Sequence, residues 1–313
     1  MRKEKVLVIV GPTAVGKTAL SVDLAKRFNG EIISGDSLQV YRGLDIGTAK
    51  ATAEEQQGIP HYLLDVRDQQ ENFSVADFQT SGRQHLADCH HRSKLPIVVG
   101  GTGLYIQSLL FDFELGGQKK DIDTSELRQE LTAYCERFGV LKLWERLRDQ
   151  DRGAAEAIHP NNVKRVIRAL EVVELTGKSV TEQRQVDFRD LDSALYDVKL
   201  IGLTTEREVL YERINQRVDL MVAEGLLTEA RGVYEQGEIQ GAQGIGYKEF
   251  FPYFQGESDL ETAVAQVKQN SRRYAKRQLT WFRNRMSVEW WDLVAYPQRL
   301  TELQSTVTDW LDK

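Results

Sequence analysis

The sequence predicts an α/β fold: a parallel sheet covered by helices on both faces, with an all-helical insertion. Three observations predict it. Short apolar runs alternate with helix-like stretches up to about residue 112, the rhythm of a parallel sheet with crossover helices. The first of these runs, KVLVIV at 5–10, ends in a glycine-bounded loop that opens a helix on a lysine, which makes the sheet P-loop NTPase-like. Strand-like runs then stop at 113 and return only at 198.

The strand candidates are 5–10, 31–34 (EIIS), 61–66 (HYLLDV), 96–99 (PIVV), 198–203 (VKLIGL) and 288–293 (VEWWDL), with helices expected over 17–27 and 74–92. Residues 113–122 read as a polar, glycine-bearing link, and Asp123 with Glu126 as a capping box. Leu127, Leu131, Tyr134, Cys135 and Phe138 then mark one helical face, and Leu143, Trp144 and Leu147 another. HPNNVKRVIRALEVVELTGK predicts a helix with an Asn cap, an apolar face from Val163 to Val173 and a stop at Gly177. The domains are thus 1–112 with 198–313 as the core, and 113–197 as the insertion. The return half predicts a long helix broken near Gly225, a glycine-rich loop GAQGIGYKE and a final long helix from about 260 to 285.

Composition narrows the function. The chain has 313 residues, 41% of them hydrophobic and 28% charged, ordinary for a soluble protein. No apolar run approaches the roughly 20 residues of a membrane helix, and MRKEK leads straight into a strand, so a cytoplasmic protein is expected. Cys89 and Cys135 have no paired spacing and are expected as free thiols. The net charge of −6 argues against indiscriminate coating of nucleic acid. Nothing demands more than a monomer or an obligate protein partner.

The loop GPTAVGKT runs through Gly11, Pro12, Thr13, Ala14, Val15, Gly16, Lys17 and Thr18, and Gly11, Gly16, Lys17 and Thr18 satisfy the phosphate-loop pattern. Its glycines let backbone N–H groups converge on phosphate oxygens at a helix N-terminus. Lys17 adds charge, and the Thr18 hydroxyl suits Mg²⁺. The pattern recognises a phosphate chain, not the rest of the ligand. SGDSLQVY places Asp36 at the end of the second strand, where a carboxylate serves as a general base or forms an Asx turn. Ser37 and Gln39 suit a base edge but are also ordinary loop residues. In VVGGTGLY, Thr102 offers a hydroxyl among Gly100, Gly101 and Gly103, whose alternative reading is packing. Arg213 and Arg217 lie one helical turn apart, fit to clamp a diphosphate or to sit on a solvated face.

Residues 268–285, KQNSRRYAKRQLTWFRNR, hold seven basic residues and no acid. On a helix, Lys268, Arg272, Lys276 and Arg283 share one side, with Arg273 and Arg277 beside it. Tyr274, Leu279, Trp281 and Phe282 fall mostly opposite, toward the core. Such one-signed charge predicts contact with nucleic acid or polyphosphate. Lys164, Arg165 and Arg168 form a smaller basic cluster.

GPTAVGKT, DSLQVYRGLDIGTAK, VVGGTGLY, AIHPNNVKRVIRALEVVELTGK, ERINQRVDLM, GIGYKE and YAKRQLTWFR together resemble the bacterial tRNA dimethylallyltransferases, in that family's order and over residues 11–283. The chain departs at HPNN, where an aspartate is common at the second Asn, and at SRRYAKRQ, where threonine often comes first. It has no Cys/His set for the zinc finger that eukaryotic members often add.

The resemblance implies that the loop holds the diphosphate of dimethylallyl diphosphate, not ATP. It implies transfer of the dimethylallyl group to the exocyclic amine of the adenosine just 3′ of the anticodon in tRNA. Asp36 would be the general base. Lys17, Thr18 with Mg²⁺, and Arg217 would neutralise the leaving diphosphate, and Thr102 would stand with Thr13 near the prenyl tail. The adenine would flip into a channel between the domains. Asp36, Ser37, Leu38, Gln39, Gly244, Gly246 and Lys248 would meet the anticodon loop. Lys164, Arg165, Arg168, Arg272 and Lys276 would hold the stem. A P-loop kinase using ATP, and a non-catalytic RNA-binding switch, are the alternatives.

Overall fold

A computed structural model describes residues 3–112, 125–180, 186–237 and 239–313. In chain order its elements are β1 (Lys5–Val10), α1 (Lys17–Arg27), β2 (Gly30–Ser34), α2 (Ala53–Gln56), β3 (His61–Tyr62), α3 (Val75–His91), β4 (Leu95–Gly100) and α4 (Gly103–Leu110). Then come α5 (Ser125–Phe138), α6 (Val140–Gln150), α7 (Arg152–Ala157) and α8 (Val163–Thr176). The chain returns through β5 (Asp197–Leu203), α9 (Arg207–Ala223), α10 (Leu226–Glu235), α11 (Phe251–Phe254), α12 (Leu260–Arg285), β6 (Glu289–Trp291) and α13 (Leu300–Leu311).

All six strands pair in parallel, in the order β3-β2-β4-β1-β5-β6. Val6 to Val10 of β1 are completely buried, as a central parallel strand covered on both faces requires. Leu7 and Ile9 belong to one apolar cluster with Leu24 of α1 and with Leu303 and Val307 of α13. Each such fully buried leucine contributes about 1.5–3 kcal/mol. Register then builds the functional edge. Val10 pairs with both Gly100 and Gly202, and Ser34 with Val99. The loops after β1, β2 and β4 therefore open at one carboxyl edge, where ligands bind in such sheets.

Several expectations need correction. The strand expected over 61–66 stops at Tyr62, because Leu63 and Asp65 take positive φ of 61° and 54° and leave the extended conformation that pairing needs. The one expected over 288–293 shortens to Glu289–Trp291. The helix at 260–285 is not the last. α13 follows it, tied to the sheet by Trp310 Nε1 donating to Asp197 Oδ1 at 2.8 Å.

The chain divides into two compact units, Met1–Phe111 with Asp187–Lys313, and Asp112–Val186. The return thus falls at Asp187 rather than at 198. Residues ahead of β5 are tied to the sheet unit by Arg189 donating to the Asn284 carbonyl at 2.8 Å and Lys3 to the Ala194 carbonyl at 2.6 Å.

In the second unit, α5–α8 gather around Leu131, Leu143, Leu147, Val166 and Leu170, all fully buried. Phe138 is not among them; it is 49% exposed, because α5 ends there and Gly139 turns the chain away with φ 87°. Asn162 stands at the α8 cap position but makes no side-chain cap bond, whereas Gly177 ends the helix in the left-handed conformation. Glu171 is fully buried and accepts from Arg128 at 2.6 Å and Arg168 at 3.0 Å. Burial alone would raise its pKa; the two guanidiniums win and lower it. The link 113–122 and Asp123 of the expected capping box lie outside the described residues.

Both cysteines are free. Cys89 is completely buried, and burial, with the Glu31 carboxylate nearby, pushes its thiol up to about 12. Thiolate is the reactive form. Iodoacetamide at neutral pH is therefore expected to alkylate the partly exposed Cys135 and to leave Cys89 unmodified until the chain unfolds, read by peptide mass spectrometry.

Candidate active site

The loop between β1 and α1 is shaped by backbone conformation. Gly11 has φ 144°, and a Cβ there would sit 2.5 Å from the Leu203 carbonyl oxygen. Ala14 and Gly16 also take positive φ, 66° and 91°. Val15 is buried in the sheet core, so that residue has only its backbone to offer at the loop. No acid occupies the first turn of α1, which leaves its positive end open to an anion. Lys17 Nζ donates to the Pro12 carbonyl at 2.7 Å, across the loop.

Three charged groups converge here. Burial, with Arg217 close by, lowers the Lys17 pKa to about 8 while Asp36 opposes the shift. Burial lowers Arg217 as well. Burial raises the Asp36 pKa, against hydrogen bonds from the Leu38 and Gln39 backbone and the pull of Lys17. Asp36 and Lys17 thus lie within electrostatic reach on one sheet edge. A carboxylate that holds its proton more tightly is also the better base. Leu38 N donates to Asp36 Oδ1 at 2.9 Å, so Asp36 forms the Asx turn too.

Other candidates take different places. Arg213 also reaches this loop: its Nε donates to the Ala14 carbonyl at 2.8 Å. Gln39 turns inward. Its oxygen accepts from Ser34 Oγ at 2.9 Å and its nitrogen donates to the Thr48 carbonyl at 3.1 Å, so its amide is committed at both ends. Ser37 and Leu38 are partly buried beside Asp36. Gly244 is a packing glycine, since a Cβ there would meet Leu38 Cδ1 at 2.7 Å. Gly246 needs its φ of 99°, and Lys248 is exposed. Gly100, Gly101 and Gly103 also serve packing, against the Gly35 backbone, Gln278 and Trp281 respectively.

The basic helix is less free than its sequence implies. Lys268 pairs with Asp219 at 2.6 Å, and Arg272 Nη1 donates to Asn215 Oδ1 at 2.5 Å. These two tie α12 to α9 instead of joining an open face. Arg273, Lys276, Arg277, Arg283 and Arg285 remain exposed. In the insertion Lys164 and Arg165 are exposed, while Arg168 is engaged with Glu171.

Sequence reasoning assigned Tyr274 to the core and missed its polar end. Burial, with Asp36 next in effect, pushes its phenol up to about 12, and its hydroxyl faces Thr102 and Gln278. The signal was a tyrosine and a glutamine within an apolar stripe, where a buried polar tip needs a partner.

A glycine turn of this kind, at this edge of a parallel sheet, is what α/β enzymes that handle a phosphate chain are built around. Comparison with known proteins narrows the class. The sequence profile of the IPP transferase family matches residues 39–285. A tRNA dimethylallyltransferase of Enterococcus faecalis is 59% identical over 99% of this chain and 98% of its own length. One of Bacillus cereus is 55% identical over 94% and 91%. The crystal structure of a tRNA isopentenylpyrophosphate transferase from Bacillus halodurans superposes with TM-score 0.73 at 50% identity, covering 99% of this chain and 97% of that one. A eukaryotic dimethylallyltransferase, described as acting on tRNA, gives TM-score 0.76 at 31% identity over 96% and 77%.

The chain belongs to the IPP transferase family. The kinase reading of the phosphate loop is overturned by these relatives, which are tRNA prenyltransferases.

Proposed function

We propose that the protein transfers a dimethylallyl group from dimethylallyl diphosphate to the exocyclic amine of the adenosine 3′-adjacent to the anticodon in tRNA, releasing diphosphate. The observation that carries this reading is the meeting of Lys17, Arg217 and Asp36 at one sheet edge in a chain of this family. The carbon–oxygen bond to diphosphate breaks as the carbon–nitrogen bond forms, and the amine proton passes to Asp36. Lys17 and Arg217 balance the charge that develops on the departing diphosphate, and α1 directs its N-terminus at the same oxygens. Tyr274 lies within electrostatic reach of Asp36 and beside Thr102 at this edge.

Among the described residues no cluster of three or more His, Cys, Asp or Glu could hold a metal. A lone hydroxyl beside a bound diphosphate suits a Mg²⁺ ion that arrives with the diphosphate and keeps most of its waters. The Thr18 hydroxyl would hold it, and the ion would supply further charge neutralisation.

The exposed arginines and Lys276 of α12 suit an RNA phosphate backbone, and Lys164 and Arg165 suit a second contact. No helix among the described residues is long and apolar enough to cross a membrane, and a tRNA substrate favours the cytoplasm.

Mass spectrometry of tRNA incubated with the protein, dimethylallyl diphosphate and Mg²⁺ tests the reading. Prenylated adenosine beside the anticodon is expected. Unmodified tRNA, or tighter binding of ATP than of the allylic diphosphate, would overturn it.

Lys276→Glu is expected to weaken tRNA binding and to reduce the slope of log K against log salt by about 1, with turnover at saturating tRNA preserved. An unchanged slope in a binding titration assigns that face of α12 another role. Lys276 separates this better than Arg272, whose loss would also loosen α9 from α12.

A further inference from the structure

We infer that Glu229, on α10, is a positioning residue that sets Asp36 in place through the turn at residues 45–47. The inference rests on the proposed function for its catalytic consequence, but its geometry stands alone. Glu229 Oε2 accepts the backbone N–H groups of Asp45 and Ile46, both at 2.9 Å, and Oε1 accepts that of Gly47 at 2.9 Å. The Tyr247 hydroxyl donates to Oε1 at 2.8 Å. Four donors fill the roughly four acceptor positions that a carboxylate offers.

Three successive N–H groups converging on one point form an anion-binding nest. Here the anion belongs to the chain itself, brought from far along the sequence. Without it the turn would hold unpaired donors. Gly47 permits the arrangement, because a Cβ there would meet the Tyr247 ring at 2.6 Å. Tyr247 is completely buried, so its hydroxyl has a fixed approach.

The clamp reaches Asp36 in two steps. The turn is continuous with Thr48 and Ala49, whose carbonyls accept from Gln39 Nε2 at 3.1 and 3.4 Å. The other end of that amide accepts from Ser34 Oγ at 2.9 Å, and the same oxygen accepts the Asp36 N–H at 3.4 Å. Lys50 closes the turn from its far side, 2.5 Å from Asp45 and 2.6 Å from Asp65. A carboxylate remote from the reacting atoms thus holds the backbone from which the base projects. Its loss acts on orientation, and so on turnover more than on donor binding.

The test compares Glu229→Gln and Tyr247→Phe with the unmodified protein, by steady-state kinetics and amide hydrogen exchange. Glu229→Gln turns a donor toward the nest and is expected to lower kcat about tenfold. KM for dimethylallyl diphosphate should not change, because the phosphate loop is untouched. Exchange should quicken at 45–47 and at 36–39 together. Tyr247→Phe removes one of the four donors and should move kcat the same way by less; it carries the test if Glu229→Gln does not fold. Faster exchange at 45–47 alone, with kcat unchanged, overturns the inference and leaves Glu229 a structural clamp. A KM that rises while kcat holds overturns it as well. Unmodified protein that prenylates no tRNA sinks the proposed function instead, and the exchange experiment still decides whether 45–47 and 36–39 move as a unit.

Discussion

Asp36→Asn is expected to lower turnover by about 10²–10⁴-fold while leaving tRNA and dimethylallyl diphosphate binding close to normal. The choice of asparagine follows from the structure. Asp36 Oδ1 accepts the Leu38 N–H at 2.9 Å, and an asparagine keeps that acceptor while losing the capacity to take a proton. Alanine would remove both, mixing a chemical effect with a loosened turn. If Asp36→Asn and Asp36→Ala are equally slow, proton transfer accounts for the loss. If asparagine is near normal and alanine slow, Asp36 shapes the turn and is not the base. Single-turnover assays on tRNA, with binding measured separately, distinguish these outcomes.

Lys17→Met is expected to lower kcat/KM for dimethylallyl diphosphate by about 10²–10³-fold and yet to raise the melting temperature at pH 7 by about 2–4 °C. Burial brings the Lys17 pKa from its ordinary 10.5 to about 8. The folded protein therefore releases this proton near pH 8, whereas the unfolded chain holds it to about 10.5. Between those values the unfolded state binds more protons, so this group's contribution to stability rises with pH. Below pH 8 the partly buried cation costs its penalty, and methionine removes it. The stability gap between variant and parent should shrink from pH 8 to 10.5. In the unmodified enzyme kcat/KM for the donor should fall as pH rises through about 8, as the cation that meets the diphosphate is neutralised. A variant that melts lower than its parent at pH 7 would show that the Lys17 bond to the Pro12 carbonyl outweighs the burial penalty. Such a trade of stability for function is common where a site must hold charge ready for a ligand.

What was legible in the sequence follows from how far apart the cooperating residues lie. The phosphate loop could be read because its glycines, lysine and helix are contiguous, and their chemistry is local. β1, α1 and α12 have the bounds that periodicity predicts, since each has an uninterrupted apolar face. β3 was overextended because HYLLDV is apolar enough for a strand, while the positive φ at Leu63 and Asp65 is not written in side-chain hydropathy. α13 was missed because its burial depends on a sheet face already built by other segments.

The site divides in the same way. The charge stripe on α12 was visible, but the neutralisation of Lys268 by Asp219 and the anchoring of Arg272 on Asn215 depend on how α9 packs against it. Gln39 read equally as a group fit for a base edge and as an ordinary loop residue, and the fold spends its amide on Ser34 and Thr48. The wheel placed Tyr274 in the core, and the fold turned its hydroxyl toward Thr102 and Gln278.

By itself the sequence determined the alternation of strand and helix, the glycine-bounded turn after β1 and the family, because each is carried by residues adjacent in the chain or by a long ordered run of matches. Only the tertiary structure decided which polar groups stay free for a ligand and which are consumed in holding the site, as Glu229 is by the Asp45–Gly47 turn. The reason is physical: a hydrogen-bonding group has few partners to give, and whether they are taken depends on neighbours that the fold supplies.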